Sequence, residues 1–341
     1  MKVQELRKLL GASERADLEK SFVECYKQLR KGQKEDIDPL LTAILTGKET
    51  EQKSGGSPVD FLELEHQINE FIVNANAQNY FAPNRIIPKS QRPKWRFIVK
   101  NFIKELSKIP SDSDNYEKSV KLLADLYSLI CEACNVYLFS TDNPFRSIGW
   151  QQPDFFQLLV TRTFANGYSR ESISQMLLFA TTGGLSRESL YIHQEMVLLN
   201  GLKTSDVKYM AIEESKRLVE ENKGKLSVSK KYESRQYYIE EAVNELCRMI
   251  FIIYIGLAEP ENGMVYFFNN CMEHDKEITL YRALGLAERM DEEELWIKVY
   301  EYGIAKKIKP RSSLREEYKE RRRMQEDKIE MKSGQKKSER T

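Results

Sequence analysis

The chain has no long apolar run. The longest, Met249 to Ala258, covers ten residues and includes Gly256. A helix of that length is about 15 Å long, half of the roughly 30 Å hydrocarbon core of a bilayer. It therefore reads as a buried core helix, and no membrane contact is expected. The opening residues, Met1-Lys2-Val3-Gln4-Glu5-Leu6, carry no apolar signal core. Neither charge dominates: 53 Lys and Arg stand against 52 Asp and Glu, for a net charge of +1. No whole-molecule field therefore draws the chain to nucleic acid or to a lipid surface.

Histidine and cysteine are scarce, which limits the available chemistry. There are three histidines and five cysteines in 341 residues. Cys131-Glu132-Ala133-Cys134 is a lone C-x-x-C, and a structural zinc site needs four ligands. The pair also lies well inside an expected helix and not at a helix start, where the dipole would activate a thiol. All five cysteines, Cys25, Cys131, Cys134, Cys247 and Cys271, sit among apolar residues. They read as reduced core thiols of a cytoplasmic protein. His193, between Leu190 and Val197, reads as a semi-buried packing residue, and His66 and His274 read as polar helix positions. A Gly-rich phosphate loop, G-x-S-x-G and H-E-x-x-H are all missing. No metal, cofactor or catalytic set is expected.

Strand-like alternation is also missing, while helical periodicity is everywhere. Val120, Leu123, Tyr127, Ile130, Cys134 and Tyr137 step by three or four, as a buried helix face requires. Trp95, Ile98, Phe102, Leu106 and Ile109 do the same. Asp38-Pro39 and Ser57-Pro58 mark helix starts, and Asp114 with Glu117 and Asp291 with Glu294 resemble capping boxes. Gly32, Gly47, Gly183-Gly184, Gly201 and Gly224 fall where helices should end. These signals imply about a dozen helices of ordinary length joined by short turns.

The fold expected is all-α: an array of antiparallel helix pairs, as an α-solenoid of the HEAT or TPR kind, with a globular multi-helix bundle as the alternative. Ser169-Arg170-Glu171-Ser172-Ile173 echoes as Ser186-Arg187-Glu188-Ser189-Leu190, each copy following a glycine turn and opening a helix. One echo is what reused capping chemistry also produces. Residues 1–47 read as an N-terminal helical unit, 48–57 as a flexible linker and 58–309 as the main array. Residues 310–341 read as a charged helix, ending near Ile329, and a disordered tail.

Two segments could meet a partner. Between Arg85 and Lys104 no acid interrupts Arg85, Lys89, Arg92, Lys94, Arg96, Lys100 and Lys104, and Tyr80, Phe81, Trp95, Phe97 and Phe102 are interleaved. Basic and aromatic groups together can hold phosphates or stack on bases or a peptide. Trp95 and Phe102 also fit the core stripe, which leaves the cations as a solvated face. From Lys306 onward there are fourteen Lys or Arg and seven Asp or Glu, densest at Arg321-Arg322-Arg323. Pairs such as Glu317 with Arg321 fit a solvated helix equally well.

Trp150, Asp154 and Arg187 resemble the aromatic, aspartate and arginine set with which helical-repeat DNA glycosylases hold an alkylated base. The likeness covers three positions. Pro153 places Trp150 and Asp154 at a helix entry, where Gln152 or an earlier residue caps and Asp154 meets the dipole. The function expected is a non-catalytic interaction scaffold for a protein partner. The alternative is a nucleic-acid-associated protein using residues 79–104 and the basic tail.

Overall fold

A computed structural model describes residues 13–29, 60–228, 234–290 and 292–338, with Gly11, Lys34, Asp38 and Leu41 besides. The chain divides into two compact units, Met1–Asp60 and Phe61–Thr341. In the first, α1 (Arg15–Lys27) has no buried residue. Its Tyr26 hydroxyl donates to the Asp38 carboxylate. The linker read at 48–57 lies outside the described residues, as do Pro39, Ser57 and Asp291 of the expected helix starts.

The second unit is helical throughout, with no strand among the described residues. It comprises α2 (Phe61–Asn76), a 3-10 turn (Arg92–Lys94), α3 (Trp95–Ser107), α4 (Tyr116–Asn135), α5 (Pro144–Ser147) and α6 (Gln152–Thr163). The chain continues through α7 (Arg170–Thr181), α8 (Tyr191–Gly201), α9 (Ser205–Val228), α10 (Ser234–Ile255) and α11 (Pro260–Asn270). It closes with α12 (Lys276–Arg289), α13 (Glu293–Ala305) and α14 (Ser312–Ser338). Helices adjacent in sequence pack in pairs. Alternate helices also touch: α2 lies on α4, α4 on α6, α6 on α8, α8 on α10 and α10 on α12. The even-numbered helices from α2 to α12 thus form an unbroken row.

Apolar residues explain the row. On α4, Leu122, Leu123, Leu126, Tyr127, Leu129 and Ile130 are all buried, so this helix is covered on more than one side. Tyr127 is the hub, with the rings of Phe145, Phe155, Phe156 and Phe179 at 5.3–5.9 Å. Each such ring stabilises the fold by about 1.5–3 kcal/mol relative to exposure. On α10, Met249 to Ile253 are buried without a break, and no described helix is long and apolar enough to cross a membrane.

Several local expectations give way to tertiary contacts. Asp114 and Glu117 do not form a capping box, because α4 begins at Tyr116 after Asn115 with no side-chain cap. Gly224 lies inside α9 and does not end it. The final helix runs to Ser338, past Ile329. Ser169 does cap α7, its Oγ accepting from the Ser172 N–H at 3.1 Å.

The second Ser-Arg-Glu-Ser copy is a turn and not a helix start, since α8 begins only at Tyr191. Gln152 is the cause. It is buried at the start of α6, its Oε1 accepts the Ser186 N–H at 2.8 Å, and its Nε2 donates to the Gly184 carbonyl at 3.0 Å. Gln152 therefore faces the core and does not cap. Gly184 is required there, because a Cβ would lie 1.9 Å from the Cys131 carbonyl oxygen.

Candidate functional site

Among the described residues a buried charge network joins α8, α10 and α12. Arg248 on α10 donates from Nε to both carboxylate oxygens of Glu195 on α8, at 3.1 Å each, and its Nη2 also meets Glu245. Arg282 on α12 reaches Glu245 at 3.4 Å, Glu241 at 3.2 Å and Glu273, in the loop before α12, at 2.8 Å. Four carboxylates thus share two guanidiniums. Burial pushes both Glu195 and Glu245 well above the ordinary carboxylate range, against the pull of Arg248. Burial also raises the nearby Tyr191 phenol, to about 12.

The sequence carried a signal for this network that the periodicity reading passed over. Arg248 stands between Cys247 and Met249 in an apolar run, and Glu195 follows buried Gln194. A charge at a core position needs a partner from elsewhere in the fold. The network lines none of the clefts described below, and its ion pairs tie α8, α10 and α12 together.

The cysteines separate by environment. Cys131 and Cys247 are buried, Cys134 and Cys271 partly so, and Cys25 is exposed. The core reading is therefore corrected at Cys25, on α1, a helix with no buried side. Burial raises the Cys131 thiol to about 12 and the Cys134 thiol to about 11, which opposes nucleophilic or redox use. Among the described residues no three His, Cys, Asp or Glu side chains converge as a metal site. His193 is exposed and not half-buried, and its Nδ1 accepts the Leu190 N–H at 3.3 Å, closing the first turn of α8.

Trp150 and Asp154 line a shallow pocket with Arg146, Gln151 and Glu188. Arg187 is not part of it and instead pairs with Asp142 at 2.9 Å. The three residues of the glycosylase likeness are therefore not brought together.

The basic segment splits into anchors and free cations. Asn84 knots the loop: its Nδ2 donates to the Asn79 and Ala82 carbonyls, and its Oδ1 accepts from the Ile86 and Ile87 N–H groups, all at 2.6–2.9 Å. Arg92 completes the knot by donating to the Ile87 and Asn84 carbonyls at 3.1 Å. Trp95 is buried and stacks on Phe139 at 3.9 Å. Arg85, Lys89, Lys94 and Arg96 remain exposed, and none forms an ion pair among the described residues.

A groove of about 660 Å³ lies between α2 and α3, with Phe71, Tyr80, Ile87, Phe97, Ile98 and Phe102 as its apolar lining. Lys94 and Asn101 lie on the α3 side, and Gln67, Glu70 and Asn74 on the α2 side. Phe97 is 62% exposed. Tyr137, read as the end of a buried stripe, falls past the end of α4. It is exposed and stacks on exposed Phe81 at 5.6 Å.

The basic tail is engaged with its own unit. The Arg321 guanidinium lies 4.5 Å from the Trp296 ring and pairs with Glu288 at 3.1 Å and Glu317 at 2.8 Å. Arg322 pairs with Glu301 at 3.5 Å and Glu326 at 3.4 Å. Arg323 is exposed. A larger cleft of about 1070 Å³ lies between α4, α7 and α9, and two of its cations, Arg170 and Arg217, are paired with Glu214 at 2.8 Å.

Compared with protein-family models, curated proteins and solved structures, the chain shows no significant match to any.

Proposed function

We propose that this chain is a non-catalytic α-helical scaffold, its helix pairs stacked as a solenoid, that binds a protein partner. The observation that carries this reading is the concentration of exposed aromatic and aliphatic side chains at one end of the helix row. Phe81, Ile86, Phe97 and Tyr137 are all exposed there, beside an apolar groove. Solvent-facing apolar groups gathered this way favour contact with another macromolecule. The even-numbered row is consistent with stacking, since each member touches the next but one in sequence. Five free cysteines suit the reducing cytoplasm.

A nucleic-acid surface is the second reading, favoured by the unpaired Arg85, Lys89, Lys94 and Arg96. It is weakened because Arg92, Arg321 and Arg322 already serve internal partners. The test is quantitative affinity purification of the full chain beside Phe81→Asp and Phe97→Asp variants. A protein recovered near stoichiometry with wild type and lost with the variants supports the scaffold. Retention by both variants, or recovery of nucleic acid that nuclease removes together with all protein, refutes it.

A further inference from the structure

We propose that the groove between α2 and α3 binds an acidic peptide segment with an apolar anchor, its carboxylates directed to Lys94 and its neighbouring cations and away from Glu70. This rests on the scaffold reading and names the class of partner.

The groove supplies the anchor site. Its floor of Phe71, Tyr80, Ile98 and Phe102 is apolar, and a volume of about 660 Å³ accepts one or two large side chains. Phe97 stands on the rim with the Arg96 guanidinium 4.8 Å from its ring, a contact that holds the exposed ring in place. The Asn84 and Arg92 knot fixes the adjoining loop before any ligand arrives, so little ordering cost remains on binding.

Charge supplies the sign of the ligand. Some exposed cations are matched by carboxylates of the fold, as Arg146 is by Glu188, Arg170 by Glu213, Arg187 by Asp142 and Lys298 by Glu261. Lys89, Lys94 and Arg96 have no such match, and no acid occurs in the sequence from Arg85 to Lys104. Lys94 lines the groove and Arg96 lies against its rim residue Phe97, so positive charge at this edge attracts and orients an acidic partner.

Glu70 decides between ligand classes. It lines the groove opposite Lys94, so the two walls carry opposite charge. A polyphosphate backbone would meet repulsion on that wall, whereas a peptide can turn a neutral or basic side toward it. Asn101 and the Gln67 amide oxygen offer hydrogen bonds that suit a peptide backbone, whereas the Asn74 amide is held by the Glu70 carbonyl and Asn79.

The experiment uses the full chain and three fluorescent probes of equal length, about fourteen units each. One is a peptide with Phe and Leu at i and i+4 and Glu or Asp at the polar positions. The second has Lys at those positions, and the third is single-stranded oligo-dT. Anisotropy should show the acidic probe binding with a Kd of roughly tens of micromolar, at least about tenfold tighter than the Lys probe. Lys94→Glu and Phe97→Ala should each weaken it about fivefold or more, and Glu70→Gln should tighten it. Phe97 and Lys94 are exposed, so circular dichroism should show both variants folded. Equal binding of the acidic and Lys probes, indifference to Lys94→Glu, or tighter oligo-dT binding would each overturn the proposal. A photo-crosslinking residue at position 97 separates the two levels. Saturable capture of a partner through a non-acidic segment sinks this inference and leaves the scaffold standing, whereas no capture and no probe binding removes both.

Discussion

Arg248 donates to both oxygens of Glu195 at 3.1 Å, and the carboxylate it holds is wholly removed from solvent. The same guanidinium meets Glu245, so one cation serves two buried carboxylates. Taking charges out of water costs free energy that such a pair recovers only in part. The network is thus a device for holding α8, α10 and α12 in register.

Its pH dependence follows. Burial raises Glu195 to about 7 and Glu245 to about 8, above their unfolded value. The folded chain then keeps protons that the unfolded chain releases above about pH 4.5. Stability from these groups is full below that point and is lost as pH rises through the folded values. Urea titrations should therefore show stability falling by about 1–3 kcal/mol between about pH 5 and 8. Glu245→Gln should flatten that slope. A wild type whose stability rises over the interval would refute the assignment. Arg248→Met should cost about 3–5 kcal/mol above about pH 8, where both buried carboxyls are ionised and lose their cation.

Gln152 gives a second prediction. Its amide satisfies the Ser186 N–H and the Gly184 carbonyl at a buried site. Gln152→Ala should cost about 2–4 kcal/mol in chemical denaturation by leaving both backbone groups unpaired. Gly184→Ala should be at least as damaging, since its Cβ would overlap the backbone of Cys131. An alanine at either position that melts like wild type would show that the loop relaxes freely.

Within the basic segment the arginines should behave unequally. Arg92 holds two backbone carbonyls of the 84–92 loop, whereas Lys94 and Arg96 hold none. Arg92→Ala should therefore lower stability by about 1–2 kcal/mol, and Lys94→Ala and Arg96→Ala should stay within about 0.5 kcal/mol of wild type. Thermal melts of the three single variants decide the point, and equal effects would contradict the division into anchor and free cations.

That division marks where sequence reasoning stopped. The helical class and the Trp95 stripe were legible because each depends on a local period of three to four residues. The Gln152 clamp was not, since its partners lie more than thirty residues away and an amide at a helix start resembles any N-terminal polar residue. Tyr137 looked like one more step of the α4 stripe until the helix ended at Asn135. The groove was half legible: its aromatic and basic residues are contiguous in sequence on the α3 side, but the Glu70 wall comes from α2 and appears only when the two helices pack.

The cysteines allow a direct chemical check of burial. Cys131 and Cys134 are held as thiols by desolvation, with values raised to about 12 and about 11, and Cys271 is also raised to about 11. Cys247 is buried and pushed higher still. At about pH 8 the thiolate fraction at each of these sites is small, and access to a reagent is restricted as well. Cys25 has neither protection, because it sits exposed on α1. Titration of the native chain with a thiol-reactive chromophore should therefore give one fast equivalent, followed by slow reaction of the remainder, and all five should react at once in denaturant. Cys25→Ser should remove the fast phase and leave stability within about 0.5 kcal/mol of wild type, since an exposed side chain loses no packing. A fast phase that survives Cys25→Ser, or a second fast equivalent traced to Cys131 or Cys134, would mean that the α4 thiols reach solvent and that the close approach of Gly184 to Cys131 does not persist in solution.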